Sequence, residues 1–347
     1  MKAALLERIR SPLTICELPE PKPTADGVVV EVKACGVCRS DWHGWRGSDP
    51  DIVLPHVPGH ELAGVILEVG PDCRSFRKGD RVTVPVILGC GRCNTCRQGV
   101  LTLCDKQAVV GFTCWGAFAE RVAVPYADAN LVRLPDDMSF EVAAALGCRT
   151  TTAFRGVVDR AQLKTGESIA VHGCGGVGLS AVMIAAAMGA SVIAVDIIDA
   201  KLELAKSLGA THTINARKVE DVPEAIRALT GGGVHVSVEA LGITDTLINS
   251  LRGLRKLGRH VQIGQPLEQH ATPTIPLLET IYARQLSLMG SRGLPATRFP
   301  ALFEMIAAGR LDPGRLIGKR ISLEDASSVF ELMDDYADVG VTMIDRF

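Results

Sequence analysis

The stretch Ser168-Ile-Ala-Val-His172-Gly173-Cys174-Gly175-Gly176-Val177-Gly178-Leu-Ser180 decides the fold of this 347-residue chain. A short apolar run, Ile169-Ala-Val171, leads into glycines spaced G-x-G-x-x-G. Apolar sequence then continues to Met188, and Gly189 precedes a second β-branched run, Ser191 to Val195. No residue between Ser168 and Val195 is charged, which on length alone would permit a membrane-spanning helix. The clustered glycines argue otherwise. The pattern predicts strand, tight turn, buried helix and strand, since parallel strands covered on both faces read as continuous apolar runs. In such a turn the first glycine, Gly173, permits the sharp bend. Gly175 lets a pyrophosphate approach the backbone, and Gly178 allows the helix to pack closely on its strand. The helix start then offers free N–H groups and a positive dipole end to phosphate.

The same period continues beyond this unit. Asp196 ends the second strand, where its carboxylate can accept hydrogen bonds from both hydroxyls of an adenosine ribose and repels a 2′-phosphate, so NAD is favoured over NADP. A helix over Asp199 to Leu208 is closed by Gly209. Strands are predicted at 211–214, 234–238 and 260–263, with helices near 222–229 and 244–254 between them. Alternation of this kind builds an open, doubly wound parallel sheet. Residues 1–149 differ, being rich in Val, Pro and Gly with short strand-like runs such as 27–32 and 64–69, and read as a β-rich domain. The expected division is 1–149, then 150–290 for the dinucleotide sheet, then 291–347 returning to the first domain. The run Gln285-Leu-Ser-Leu-Met289 falls where that sheet should end, and an apolar edge strand invites pairing with a two-fold copy.

Composition excludes several classes of function. A formal charge of −2 leaves no electrostatic footprint for nucleic acid or an anionic membrane, so the expected partner is a small molecule. Charged residues Glu7 and Arg8 interrupt the start before a signal-peptide core can form. With 11 cysteines, that predicts a reducing, cytoplasmic setting.

Two cysteine patterns suggest metal. Cys90, Cys93, Cys96 and Cys104 crowd into one loop. Short gaps let four thiolates converge on one ion, which predicts a closed structural zinc site. A disulfide framework belongs to small secreted chains. The bacterial iron–sulfur pattern has three residues before its fourth cysteine and then proline, whereas seven precede Cys104 here and Asp105 follows. The second set is dispersed: Cys38-Arg39-Ser40-Asp41-Trp42-His43, then Gly59-His60-Glu61, then Gly147-Cys148. A catalytic zinc takes three protein ligands and keeps one position open.

In this order, Cys-x-Ser-Asp-x-His, Gly-His-Glu, the four-cysteine lobe, the later Gly-Cys and the glycine turn resemble the zinc-dependent medium-chain alcohol dehydrogenases over essentially the whole chain. The resemblance implies a GroES-like catalytic domain joined to a Rossmann domain, with catalytic zinc on Cys38, His60 and Cys148 and with Glu61 beside it, either as ligand or behind the ligands. It further implies that Asp41 hydrogen-bonds the far nitrogen of His60, that Ser40 takes the proton of the alcohol, and that His43 passes it to solvent. Arg39 would pair with the pyrophosphate, Lys201 with the adenosine ribose, and Thr152 would approach the nicotinamide. Trp45 and Trp115 fall where the family lines its substrate cleft, with a simple core role as the alternative for each. A homodimer or homotetramer is expected. A polyol or threonine dehydrogenase is the competing enzyme, and a non-catalytic NAD- or zinc-binding protein the competing class; the intact set Cys38, Ser40, His43, His60 and Cys148 favours an enzyme.

Overall fold

A computed structural model describes residues 1–334 and 339–347. Contacts divide the chain into two compact units. The first comprises Met1–Thr151, Gly293–Met305 and Ile317–Phe347, and the second comprises Thr152–Arg292 with Ile306–Leu316. The expected return of all of 291–347 to the first domain is therefore corrected, since Ile306–Leu316 packs with the dinucleotide unit.

The strands of the first part are β1 (Lys2–Leu5), β2 (Thr14–Glu17), β3 (Val28–Val37), β4 (Glu61–Val69), β5 (Arg81–Thr83), β6 (Arg121–Val124) and β7 (Val132–Arg133). The second unit holds β8 (Ser168–His172), β9 (Ser191–Asp196), β10 (His212–Asn215), β11 (Val234–Glu239), β12 (Leu254–Gln262) and β13 (Ser287–Gly290). The chain ends with β14 (Ile317–Ser322) and β15 (Val341–Arg346).

In the first unit the main sheet runs β14-β15-β3-β4-β5-β7, with β6 also on β3. Long β3 and β4 alternate buried apolar residues such as Val28, Val30, Leu62 and Ile66, which pack with Phe118 and Phe330 in its core. These two strands matter for function because their ends carry the site. Cys38 directly follows β3, and His60 and Glu61 stand where β4 begins.

In the second unit six parallel strands run β10-β9-β8-β11-β12-β13. The order reverses between β8 and β11, which is the switch point of a doubly wound sheet, where ligands bind across the carboxyl ends of the strands. The glycine turn lies there, between β8 and the helix Gly176–Ala187. That helix is apolar on all sides because it is buried, with eight of its residues inaccessible. It is 12 residues long, and among the described residues no helix is long and apolar enough to cross a membrane.

Candidate active site and metal centres

The dispersed ligands meet in the first unit. One ligand atom from each of Cys38, His60, Glu61 and Cys148 lies within 4.8 Å of every other. Cys38 is the N-cap of the short helix Arg39–Trp45, and its backbone N–H donates to Asp41 Oδ2 at 2.9 Å. The other oxygen, Asp41 Oδ1, accepts from Gly59 N at 3.1 Å and pairs with His60 Nδ1 at 2.8 Å. One buried carboxylate thus ties the helix start to the β4 entry and holds the imidazole with its Nδ1 turned away from the cysteines. The opposite nitrogen, His60 Nε2, is buried and has no hydrogen-bond partner among the described residues. A buried imidazole nitrogen facing two thiols fits a metal ion, which would give it a partner.

Cys148 arrives from a distorted helix. After Phe140–Ala145 the backbone opens into a wide turn over Leu146–Thr150, with Gly147 outside helical geometry. A Cβ on Gly147 would lie 2.7 Å from Glu61 Cβ, so glycine is what admits the glutamate here. In return Glu61 Oε1 accepts from Cys148 N and Arg149 N, each at 3.2 Å.

Arg149 then fixes the glutamate. Its Nε lies 2.9 Å from each Glu61 oxygen, and its Nη2 donates both to Glu61 Oε2 and to Val37 O. Both groups are buried, so Glu61 is held by a guanidinium on one side while remaining among the ligand atoms on the other. No sequence motif marks Arg149, although it stands next to Cys148.

The electrostatics favour an anion at Cys38. A hydrogen bond from Cys148 leads the interactions that hold its thiol well below the usual range, overcoming burial with help from Arg149 and His60. Donation to Cys38 and burial push Cys148 well above that range. Burial works against a charged His60, but Asp41 and Cys38 outweigh it and raise the imidazole. A divalent ion would replace these shared protons.

The four-cysteine lobe also closes on itself. Cys90 N and Lys106 N each donate to Cys104 Sγ at 3.3 Å, and Cys93 and Cys104 sulfurs are 3.8 Å apart. Buried Asn130 anchors the loop, accepting from Gly89 N at 2.9 Å and donating to Gly89 O and Tyr126 O at 2.8 Å. Backbone donation from Arg92 brings Cys90 down to about 6, whereas burial and the neighbouring thiols Cys93 and Cys104 push Cys96 up to about 12. Four sulfurs this close cannot all ionise without a cation, and their chemistry suits zinc. None of the cysteines is in a disulfide.

The remaining expected residues fall in several places. Ser40 Oγ is 3.9 Å from Cys38 Sγ, and half-buried His43 lies one turn further along the same helix, its ring 5.1 Å from that of Trp42. Arg39 stacks over Trp42 at 4.1 Å and donates to Met333 O. Trp45 is corrected from the cleft to the core: it is 5% exposed, packs on Phe330 and donates to Ser11 O at 2.7 Å. Trp115 is exposed and donates to Pro55 O at 3.3 Å. Val86, Ile87, Val109 and Phe112 form a buried apolar cluster that packs with Ile52 and Cys148 beside the candidate ligands, and the Phe112 ring sits 5.2 Å from that of His60. These residues carry no motif, and no sequence signal marks them.

In the second unit, a Cβ on Gly178 would lie 1.7 Å from Gly173 O, whereas one on Gly175 would meet nothing within 4 Å. Gly178 therefore serves helix packing, and the exposed Gly175 leaves the open cradle a pyrophosphate needs; Gly176 and Val177 begin the helix. Asp196 is more committed than expected. Its Oδ2 accepts from Cys174 N at 2.7 Å, and its Oδ1 from Ile197 N and Ile198 N at 2.7 and 3.0 Å. With about four acceptor directions on a carboxylate, one on Oδ2 is left for a ribose, not a full pair. Lys201 and Thr152 are both buried.

Known proteins share this architecture. Residues 24–136 match the family described as alcohol dehydrogenase GroES-like domain, and residues 176–308 the one described as zinc-binding dehydrogenase. An alcohol dehydrogenase of Geobacillus stearothermophilus is 36% identical over 337 residues, covering 96% of both chains. An NAD-dependent alcohol dehydrogenase of Sulfurisphaera tokodaii is 34% identical, covering 98% of both. The solved structure of alcohol dehydrogenase TADH from Thermus sp. ATN1 superimposes with a TM-score of 0.91 at 32% identity, covering 100% of both chains.

Proposed function

This chain belongs to the zinc-dependent medium-chain alcohol dehydrogenases, and from that premise we propose which of its residues carry the reaction. The enzyme moves a hydride between an alcohol, or the corresponding aldehyde or ketone, and NAD. When bound, zinc supplies Lewis acidity toward the substrate oxygen and the nicotinamide accepts or returns the hydride.

The protein's own contribution rests chiefly on one observation, the buried and unpartnered His60 Nε2 facing Cys38 and Cys148. These three residues are the catalytic zinc ligands in this reading. Asp41 supports it by accepting from Nδ1, which leaves Nε2 as the lone-pair donor. Arg149 holds Glu61 as a standby group behind the ligands. Cys90, Cys93, Cys96 and Cys104 hold the structural zinc. Ser40, beside Cys38, receives the proton of the substrate hydroxyl, and half-buried His43, one turn along the same helix, passes it toward solvent. The wall of Val86, Ile87, Val109 and Phe112 suits an apolar alcohol, because it offers a polar substituent no partner.

On the cofactor side, the open face at Gly175 receives the pyrophosphate and Asp196 the adenosine ribose. Arg39, Thr152 and Lys201 are assigned to the pyrophosphate, nicotinamide and ribose by resemblance. The oligomer is a homodimer through β13, or a doubled dimer. Support comes from β13 pairing, among the described residues, on one side only, with β12, and from exposed Leu288, Leu278 and Tyr282 nearby. Unpaired cysteines support a cytoplasmic setting.

The reading is tested with aliphatic and benzylic, primary and secondary alcohols and NAD⁺, followed at the nicotinamide absorbance. Apolar alcohols should be oxidised well and polyols poorly. Ser40→Ala should lose turnover while retaining both zinc ions. A Ser40→Ala enzyme as active as wild type would remove that residue from the proton path.

A further inference from the structure

Glu239, the last residue of β11, is wholly inaccessible, yet its carboxylate is held by neutral donors. Its Oε1 accepts from Leu241 N at 2.9 Å, Gly242 N at 3.0 Å and Thr246 Oγ1 at 2.7 Å. Its Oε2 accepts from Gly242 N at 2.8 Å and from the Gln262 side-chain amide. Gln262 ends β12 in register with Glu239, and its amide also donates to Gly264 O at 2.8 Å. Two loops, each following a central strand, are thus gathered on one carboxylate.

The backbones they bring together nearly touch. A Cβ on Gly242, where φ is +82°, would lie 2.1 Å from Gln265 O. A Cβ on Gly264 would lie 2.2 Å from Gly242 N and 2.6 Å from Glu239 Oε2. Burying a carboxylate among neutral groups is costly, and a core that needed only filling would place an apolar side chain there. What Glu239 adds is a fixed loop geometry. Leu241, held through its N–H, rests on Gly173, since a Cβ there would lie 2.5 Å from Leu241 Cγ. Leu241 and Ile243 nevertheless remain 41% and 38% exposed, so the clamp presents two large apolar side chains to solvent.

Their place in the sheet gives this a purpose. The glycine turn and Asp196 mark β8 and β9 as the half that takes the adenosine and pyrophosphate. In a doubly wound sheet the other half of a dinucleotide crosses the carboxyl ends on the far side of the switch point, here β11 and β12. We propose that Glu239 is a positioning residue for the nicotinamide half of the cofactor: with Gln262, Gly242 and Gly264 it sets the loop backbone and the Leu241–Ile243 surface against which that half rests. The inference rests on the dinucleotide reading of this unit.

The test compares two ligands on zinc-loaded enzyme by calorimetry: NADH, and ADP-ribose, which lacks the nicotinamide. Glu239→Gln turns an amide donor toward the loop N–H groups. It should weaken NADH by about 10-fold or more, the worth of one hydrogen bond to a charged group, and ADP-ribose by less than about 3-fold. Gln262→Met keeps Glu239 and removes only the amide, and should shift the same ratio in the same direction by about 3-fold. Equal weakening of both ligands, or of neither, overturns the proposal, because a merely structural carboxylate would not distinguish them. If Glu239→Gln fails to fold, the ratio in Gln262→Met decides. Failure of wild type to bind ADP-ribose would refute the dinucleotide reading itself.

Discussion

His172 on β8 and His260 on β12 give the second unit a measurable acid lability. Both rings are buried, and His172 Nε2 has no hydrogen-bond partner among the described residues. Burial, with repulsion from His260, lowers His172 from 6.5 to about 3, and burial lowers His260 to about 4. Below about pH 6.5 the unfolded chain therefore takes up a proton on each ring that the folded chain refuses until much lower pH. The unfolded state binds more protons throughout that window, so stability is full above it and falls as pH falls. A tenfold difference in proton affinity is worth about 1.4 kcal/mol, so lowering the pH from about 6 to 5 should cost about 1.2 kcal/mol per ring. The assay is urea unfolding of zinc-loaded wild type and His172→Leu at both pH values. Groups titrating in both proteins cancel in the difference, and the variant should lose about 1.2 kcal/mol less than wild type. Parallel pH dependences would mean that His172 is not held neutral, and the inference from its burial would fail.

Three further outcomes are expected. Arg149→Met strips Glu61 of its cation inside the unit and should cost about 3–5 kcal/mol in chemical unfolding, the loss typical of a broken buried pair; less than about 1 kcal/mol would show that Glu61 is not held as described. Cys93→Ser should lower the unfolding midpoint and release one zinc per subunit, while Cys148→Ser should abolish turnover with a smaller stability loss; metal analysis and melting curves that fail to separate the two variants would contradict the division into structural and catalytic sites. Asp196→Ala should weaken NAD by about 10-fold, the low end for a bond to a charged group because three backbone donors already occupy the carboxylate, and should improve the relative use of NADP; an unchanged cofactor ratio would reduce Asp196 to a turn-capping acid.

What is readable in the sequence, and what is not, follows from how far apart the interacting residues lie. The sheet is legible because each of its signals is local. A strand buried on both faces must be apolar, as at Ile169–Val171, and a turn with Gly178 set against Gly173 O must be glycine. The four-cysteine lobe is legible for the same reason, its ligands lying within one loop. Where local signals conflict, boundaries move. β12 begins at Leu254 rather than near His260, because Arg255, Lys256 and Gly258 look like a loop while the register with β11 keeps part of that stretch in the sheet.

The site's interior is a different matter, since its chemistry depends on partners brought together only by folding. Arg149 gains a role only when Glu61, 88 residues away, is placed against it. Trp45, placed at the cleft by resemblance with a core role as its alternative, takes the core role, because a helix turns successive side chains through about 100° and that rotation sends it onto Phe330. Glu239 carries no motif at all. Its role lies in backbone N–H groups, which every sequence possesses and none advertises. Ligand atoms that meet a metal leave a trace in residue type, whereas the groups that aim those ligands work through the backbone and through distant charges. For that reason the resemblance to a family points to Cys38, His60 and Cys148, while Arg149, Phe112 and Glu239 become visible only with the fold.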